Sequence, residues 1–382
     1  MTPLADSKLG YYSVGPVRYS SKIEALIAGT RQNLHPTWHF NDAVWASQNW
    51  LVEPETDLSV LYQMRARQIR EKYDHVAVFF SGGSDSWNMV QAFFSAGCFI
   101  DEIYTVWNRK ANNKFVLDAT VTDARNIEAE FDLTAKQGLQ WIQDSSPRTK
   151  ITYIDVSDGV IDKLNQFDGE EWLTTSFEHL NPQFVTRWSV TREHAHRNQL
   201  DRGLRTALVY GVDKPKVCIK DNKYCVYFLD KIVNCFTGNW NDPEYTNIHT
   251  EFFYWTPDLP EIVIKQSHMI RRWFESNPAL KPILHWPGAS TTLRQAYEVV
   301  TRSLIYPGWN INTFQCVKPN LTSHMEWDDW FFQTYKDTPV YHSWHKGLEH
   351  VEKNIDTKYL SRDNFNQAIS FITMINGHFA LE

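Results

Sequence analysis

The sequence predicts an α/β protein built on a doubly wound parallel sheet, and three observations carry that prediction. Short β-rich runs recur at His75–Phe80, Ile100–Val106, Lys150–Val156 and Leu204–Tyr210. Helical patterns separate them, and strand alternating with helix implies parallel strands joined by right-handed crossovers. The first run ends in the turn Ser81-Gly82-Gly83-Ser84-Asp85-Ser86, directly ahead of the helical run Trp87–Phe94. Sheets of this kind bind ligands beyond the carboxyl ends of their strands, which is where that turn falls.

Taken in order, residues 1–55 form an N-terminal extension, aromatic and irregular, with Trp38, Trp45 and Trp50 near His35, His39 and Asn41. It is expected to pack on the main domain. A helix follows from Thr56: Asp57 can cap it, and Leu58, Leu61, Met64 and Ile69 fall close to helical spacing. Gly97 is placed to stop the helix after the turn. A helix over about 126–143 carries Ile127, Phe131, Ala135, Leu139 and Ile142 on one side, and Ser145-Ser146-Pro147 ends it. Further helices cover roughly 158–202 with interruptions.

Beyond the fourth strand, Lys216–Lys220 and Lys223–Phe228 flank Asp221-Asn222 and read as a β-hairpin. This hairpin is an addition to a plain doubly wound core, suited to cover an active site or to serve an oligomer interface. Pro257-Asp258-Leu259-Pro260-Glu261 then precedes a helix carrying Ile262, Lys265 and Phe274. Past residue 280 the clearest helices are 290–304 and 364–375, with a turn at Tyr306-Pro307-Gly308-Trp309. The domain reading is 1–55, 56–275 and 276–382, both terminal additions being mainly helical.

Composition narrows the function classes. A chain of 382 residues with 42% hydrophobic and 22% charged residues has a substantial core. No stretch approaches the roughly 18 apolar residues that span a membrane, and the first residues lack a basic-then-apolar signal, so the expectation is a cytoplasmic protein. Five cysteines at irregular spacing, with no C-x-x-C pair, disfavour a disulfide framework and a Cys₄ zinc site. His342, His345 and His350 lack zinc-ligand spacing and read as structural or solvent-facing.

A net charge of −7 does not favour nucleic acid. The arginine-rich stretch 187–205 is the best local basic candidate, but five-residue spacing does not keep arginines on one helix face, so it reads as a solvated helix surface. The 16 tryptophans are explained by core packing.

The informative segment is the glycine turn. Its glycines let the backbone approach a ligand closely. The helix behind it directs N–H groups and the positive end of its dipole at the turn, so the turn is suited to an anion. No lysine follows the glycines, and the Walker A pattern is absent. Residues 81–86 match every fixed position of the PP-loop, S-G-G-x-D-S, and so resemble the N-type ATP pyrophosphatases (adenine nucleotide alpha-hydrolase-like, or HUP, fold). That superfamily includes asparagine, GMP and NAD synthetases, tRNA thiolation and lysidine enzymes, and sulfonucleotide reductases. Five fixed positions arise by chance in a chain of this length with odds on the order of 10⁻³ or below.

The resemblance implies that ATP is held by its β- and γ-phosphates while a substrate oxygen attacks the α-phosphorus, releasing pyrophosphate. Ser81, Gly82, Gly83, Ser84, Asp85 and Ser86 would bind the nucleotide. Asp85 either helps hold a Mg²⁺ or is simply a first-turn helix acid.

Two later segments resemble the synthetase domain of asparagine synthetase-like members. Gly211-Val212-Asp213-Lys214-Pro215 occupies the place of a second Gly- and acid-containing loop, S-G-x-G-x-D-E, of which only Gly211 and Asp213 remain, with Lys214 added. The bland alternative is a turn ahead of Pro215. Pro257-Asp258 retains part of R-x-P-F-L-D, which implies a substrate role for Asp258 and, on the following helix, for Lys265 as a cation. Asp258 also suits a helix N-cap with Glu261 as capping-box partner.

The expectation is therefore an AMP-forming ligase that uses ATP, Mg²⁺ and a small-molecule substrate: an oxygen, with a carboxylate first among the acceptors, is adenylated with release of pyrophosphate, and a nitrogen nucleophile then attacks the adenylated substrate. With the first cysteine at position 98, no N-terminal nucleophilic cysteine supports glutamine use. Nitrogen would come from free ammonia, an amine or a partner protein, and a homo-oligomer fits the appended hairpin. Two other readings stay open: a nucleobase-, tRNA- or sulfonucleotide-handling PP-loop enzyme, and a non-catalytic nucleotide sensor.

Overall fold

The computed structural model describes residues 7–107, 135–155, 157–166, 173, 180, 197, 203–230, 247–285, 291–310, 331–362 and 369–382. At its centre is a five-stranded sheet. Its strands are β4 (His75–Phe79), β5 (Glu102–Trp107), β6 (Lys150–Asp155), β7 (Thr206–Tyr210) and β10 (Ile248–Phe252). They lie in the order β10-β7-β4-β5-β6, and every pairing is parallel. From β4 the chain moves outward through β5 to β6, then returns to the other side of β4 for β7 and β10. That reversal puts a topological switch point between β4 and β7, the crevice where such sheets bind ligands. The arrangement is α/β, flanked by helices and compatible with a doubly wound fold.

The inner strands are largely apolar because both faces are covered: all five residues of β4 and all five of β7 are buried, His75 and Thr206 among them. Helix α3 (Leu58–Lys72) precedes β4, with Asp57 at its N-cap position but no side-chain cap bond. Leu58, Leu61 and Ile69 are buried, each contributing about 1.5–3 kcal/mol. Met64, expected on the same stripe, is 38% exposed. Helix α4 (Ser84–Ser95) begins inside the glycine turn, three residues earlier than its apolar run indicates. It ends as expected at Gly97, whose φ of 69° lets its N–H reach the Phe94 carbonyl (3.0 Å) and that of Cys98 reach Phe93 (2.9 Å).

Of the helix expected over 126–143, residues 126–134 lie outside the described residues. Helix α5 (Lys136–Ser145) forms, with Leu139 and Ile142 buried. Helix α6 (Ser157–Gln166) follows β6, and most of 167–202, including the arginine-rich stretch apart from Arg197 and Arg205, also lies outside them.

The hairpin forms as β8 (Lys216–Lys220) and β9 (Lys223–Leu229), turning through Asp221 and Asn222 at φ of 51° and 60°. Positive φ at both turn positions matches the right-handed twist of the paired strands. A third strand, β13 (Ile375–Ala380), joins β9 antiparallel. The helix expected over 364–375 is corrected there and upstream, while the described part of the C-terminal region is otherwise mainly helical. Within the helix expected over 364–375, Ile369–Phe371 is a strand, β12, paired antiparallel with β11 (Leu360–Arg362). The helices of this region include α9 (Thr291–Ile305) and α10 (Pro339–Asn354), which follow α7 (Glu261–Ser276) and α8 (Pro282–His285).

The N-terminal addition, expected to be mainly helical, mixes strand with helix. β1 (Tyr11–Val14), β2 (Val17–Tyr19) and β3 (Thr37–His39) make an antiparallel sheet beside α1 (Lys22–Gln32) and α2 (Asp42–Ala46). It packs on the main body as expected. Trp45 stacks on Phe228 with centroids 4.6 Å apart, and Phe40 tilts against Trp255 at 6.1 Å. Lys22 and Asp230, both fully buried, pair at 2.7 Å across that boundary. Among the described residues no helix is long and apolar enough to cross a membrane.

Candidate functional site

The glycine turn and the Gly211 loop leave the two strands that flank the switch point. Val78 of β4 is in register with Val209 of β7, so Ser81 and Val212 begin their loops at the same height. Phe80 still donates to the Tyr104 carbonyl (2.8 Å), which holds the chain to the sheet until the loop starts. Gly82 has φ 75°, a region closed to most side chains, and Gly83 is the N-cap of α4. The loop is braced from within. The Ser86 hydroxyl donates to the Gly83 carbonyl (3.0 Å) and accepts the Ser81 N–H (3.3 Å), while the Gly83 N–H reaches Ser81 Oγ (3.4 Å). An exposed Ser81 thus sits above a helix N-terminus whose first turn Ser84 and Ser86 bury.

Asp85 is the charged residue of the loop, and the structure brings Lys214 to it. Lys214 Nζ donates to Asp85 Oδ1 at 2.9 Å and Oδ2 at 2.8 Å, and lies 3.4 Å from Asp213 and 3.3 Å from Glu298. Burial pushes the lysine's pKa down, but the charges of Asp85, Glu298 and Asp213 outweigh it, so the ammonium titrates well above the ordinary lysine range. Burial also works against the charge of Asp213; Lys216 and Lys214 overcome it and keep that carboxyl below its usual range. Lys216 pairs with Asp213 (3.1 Å) and Glu298 (3.6 Å), and Arg302 with Glu298 (3.3 Å). Gly211 permits this approach. A Cβ there would stand 3.3 Å from the Asp85 carbonyl carbon and 3.4 Å from Ser86 N, against main chain that cannot easily give way.

Sequence reasoning missed the residues that enclose the loop from the C-terminal region. The Tyr306 hydroxyl donates to Asp85 Oδ1, and Trp309 Nε1–H donates to Ser84 Oγ at 2.9 Å. The Tyr254 hydroxyl donates to the Asp85 carbonyl (2.7 Å) and accepts from Asn88 Nδ2 (2.9 Å). Burial, and after it the Asp85 charge, keeps the Tyr306 phenol protonated far above its ordinary range. Helix α9 positions this set: Tyr297 accepts the Val217 N–H (2.9 Å) and donates to the Pro215 carbonyl (2.7 Å), and the Ile305 carbonyl accepts from Tyr62 of α3 (2.8 Å). The only sequence signal for these residues was the turn at 306–309, which carries no chemistry by itself.

Two expected residues find their polar partners elsewhere. Asp258 lies 3.5 Å from Arg65, 3.7 Å from Lys8 and 4.0 Å from Lys72, beside a cleft of about 410 Å³. It does not cap α7, whose N-cap is Pro260 with no side-chain bond; its own N–H instead reaches Thr256 Oγ1 (3.2 Å). Lys265 pairs with Glu53 (2.9 Å) and donates to the Pro54 carbonyl (2.9 Å), tying α7 to the segment before α3.

A glycine-built turn, the exposed Ser81 and a helix N-terminus meet at the switch point, an arrangement that can take an anion. It does not suit a Mg²⁺ on Asp85. Both carboxylate oxygens already accept from the Lys214 ammonium, and Oδ1 from Tyr306 as well, whereas Mg²⁺ demands oxygen ligands at about 2.1 Å in near-octahedral array. No group of three or more His, Cys, Asp or Glu able to hold a metal occurs among the described residues. No protein-family model matches the chain, and no curated protein matches it.

Proposed function

We propose that the chain binds an adenine nucleotide through residues 81–86 and is an ATP-pyrophosphatase-type ligase. A substrate oxygen attacks the α-phosphorus of ATP, the bond from the α-phosphorus to its bridging oxygen breaks, and pyrophosphate leaves. A nitrogen nucleophile then displaces AMP. The loop N–H groups, the Ser81 hydroxyl and the helix dipole stabilise the charge that gathers on the leaving pyrophosphate, the kind of preorganised stabilisation that supplies the largest part of catalysis.

The observation that supports this reading is the juxtaposition of the Ser81–Ser86 turn with the Gly211 loop at the switch point between β4 and β7. The positions of Asp258 and Lys265 lend no support to an asparagine synthetase-like substrate pocket, so the reading rests on the reaction class that the loop implies. A carboxylate is the first acceptor to test. The experiment is pyrophosphate release from ATP by the purified protein, screened across amino acids, nucleotides and RNA, with Gly82→Val as control. Release that depends on one acceptor class and disappears in the variant supports the reading and names the substrate family. Tight ATP binding without release under every condition contradicts the ligase reading and leaves a nucleotide sensor.

A further inference from the structure

We propose that Asp85 is a positioning residue rather than a metal ligand, and that the loop takes the phosphates of its nucleotide without a protein-bound divalent cation. This rests on the reading that residues 81–86 hold a nucleotide. Both carboxylate oxygens of Asp85 are already engaged. Lys214, only 4% exposed, spans both oxygens of Asp85 at 2.9 and 2.8 Å, and Tyr306 donates to one of them. A cation bound to the same oxygens would have to displace a buried ammonium from a site where three carboxylates hold it.

Charge bookkeeping gives the same answer. Asp85, Asp213 and Glu298 supply three negative charges, and Lys214, Lys216 and Arg302 supply three positive ones, each within 3.6 Å of an opposite partner. The cluster is balanced as it stands, so its own side chains call for no further cation.

The geometry gives Asp85 a different task. Its carboxylate is held by Lys214 of the Gly211 loop and Tyr306 after α9, its carbonyl accepts from Tyr254, and the neighbouring Ser84 accepts from Trp309. Three separate segments thereby fix the first turn of α4, whose N–H groups and dipole are the cationic element of the anion site. The matching ligand group is a phosphate neutralised by hydrogen bonds and the helix terminus.

The test measures binding of AMP and of ATP to the full chain in EDTA and in Mg²⁺, for the wild type and for Asp85→Asn, together with paramagnetic relaxation by Mn²⁺ alone. Asn keeps an oxygen in place for Lys214 and Tyr306. The expected result is ATP affinity equal within about twofold in the two buffers, no tight Mn²⁺ on the wild type, and at most about a tenfold loss in Asp85→Asn, the same with and without metal. Wild-type binding that strengthens about a hundredfold with Mg²⁺, a gain lost in Asp85→Asn, overturns the inference and leaves the nucleotide reading standing. Tight Mn²⁺ on the wild type that Asp85→Asn abolishes overturns it as well. Failure of both nucleotides to bind in either buffer overturns this inference and the nucleotide reading together. The Mn²⁺ measurement needs no variant and decides the matter even where Asp85→Asn fails to fold.

Discussion

Lys214 and Asp85, 129 positions apart in sequence, form a two-point ion pair at 2.9 and 2.8 Å that joins the loop after β7 to the first turn of α4. The contact fixes one loop of the switch point against the other. Removing the cation while its three carboxylates remain is therefore costly. Lys214→Met is expected to lose about 3 kcal/mol of unfolding free energy, the lower end of the usual range because Asp85 keeps 30% of its side-chain exposure. Urea unfolding measures it, and a loss below about 1 kcal/mol contradicts the account.

Gly211 acts through space rather than charge. In Gly211→Ala the new Cβ meets the main chain of Asp85 and Ser86 at 3.3–3.4 Å, so either the loop or the start of α4 must shift. A cost of about 1 kcal/mol in stability, with ATP affinity weakened by a comparable amount, is the expected outcome. Calorimetric titration of wild type and variant checks it.

Trp309 offers a spectroscopic handle. Its indole N–H donates to Ser84 Oγ at 2.9 Å, next to where the phosphates would sit. Occupation of the loop should change its emission, and the ligand-induced difference should vanish in Trp309→Phe, which also loses about 1 kcal/mol of stability with the hydrogen bond. An identical difference spectrum in the variant would assign the change to another of the 16 tryptophans.

The charged cluster around Arg65 sets an acid limit on stability. Burial alone would raise the pKa of Glu251, yet Arg65, Lys72 and Tyr73 hold its anion so firmly that it drops from 4.5 to about 2. The folded value lies below the unfolded one, so this stabilisation is fully present above about pH 5 and is lost as pH falls toward 2. It amounts to about 3 kcal/mol. Unfolding free energy followed over that interval should fall accordingly, and Glu251→Gln should be less stable at neutral pH and show a flatter acid slope.

The parts of the fold that were legible in the sequence are those whose signals are local. β4, the glycine turn and α4 announce themselves through an apolar run, two adjacent glycines and a helical repeat within about 20 residues, and Asp221-Asn222 specifies its own turn. Contacts between distant segments leave no such trace. Tyr306 is 221 positions from Asp85 and Trp309 is 225 from Ser84, and nothing near either residue names its partner. The misreadings have the same origin. Ile369–Phe371 is too short an apolar run for periodicity to separate helix from strand, and β13 contains Gly377 and His378, which weaken a strand pattern that only pairing with β9 completes. Asp258 has the right spacing for a capping box, but Pro260 takes the cap and Arg65 takes the carboxylate.

The proposed ligand of the Ser81–Ser86 turn is the phosphate group of a nucleotide. Calorimetric titration of ATP into the wild type and into Gly82→Val tests it most directly, because Gly82 has φ 75°, a conformation that a β-branched residue cannot adopt without distorting the turn. The account predicts saturable one-to-one binding to the wild type and at least about a tenfold weaker affinity in the variant, with the circular dichroism of the fold preserved. Equal affinity in the two proteins, or no binding to the wild type, would contradict it.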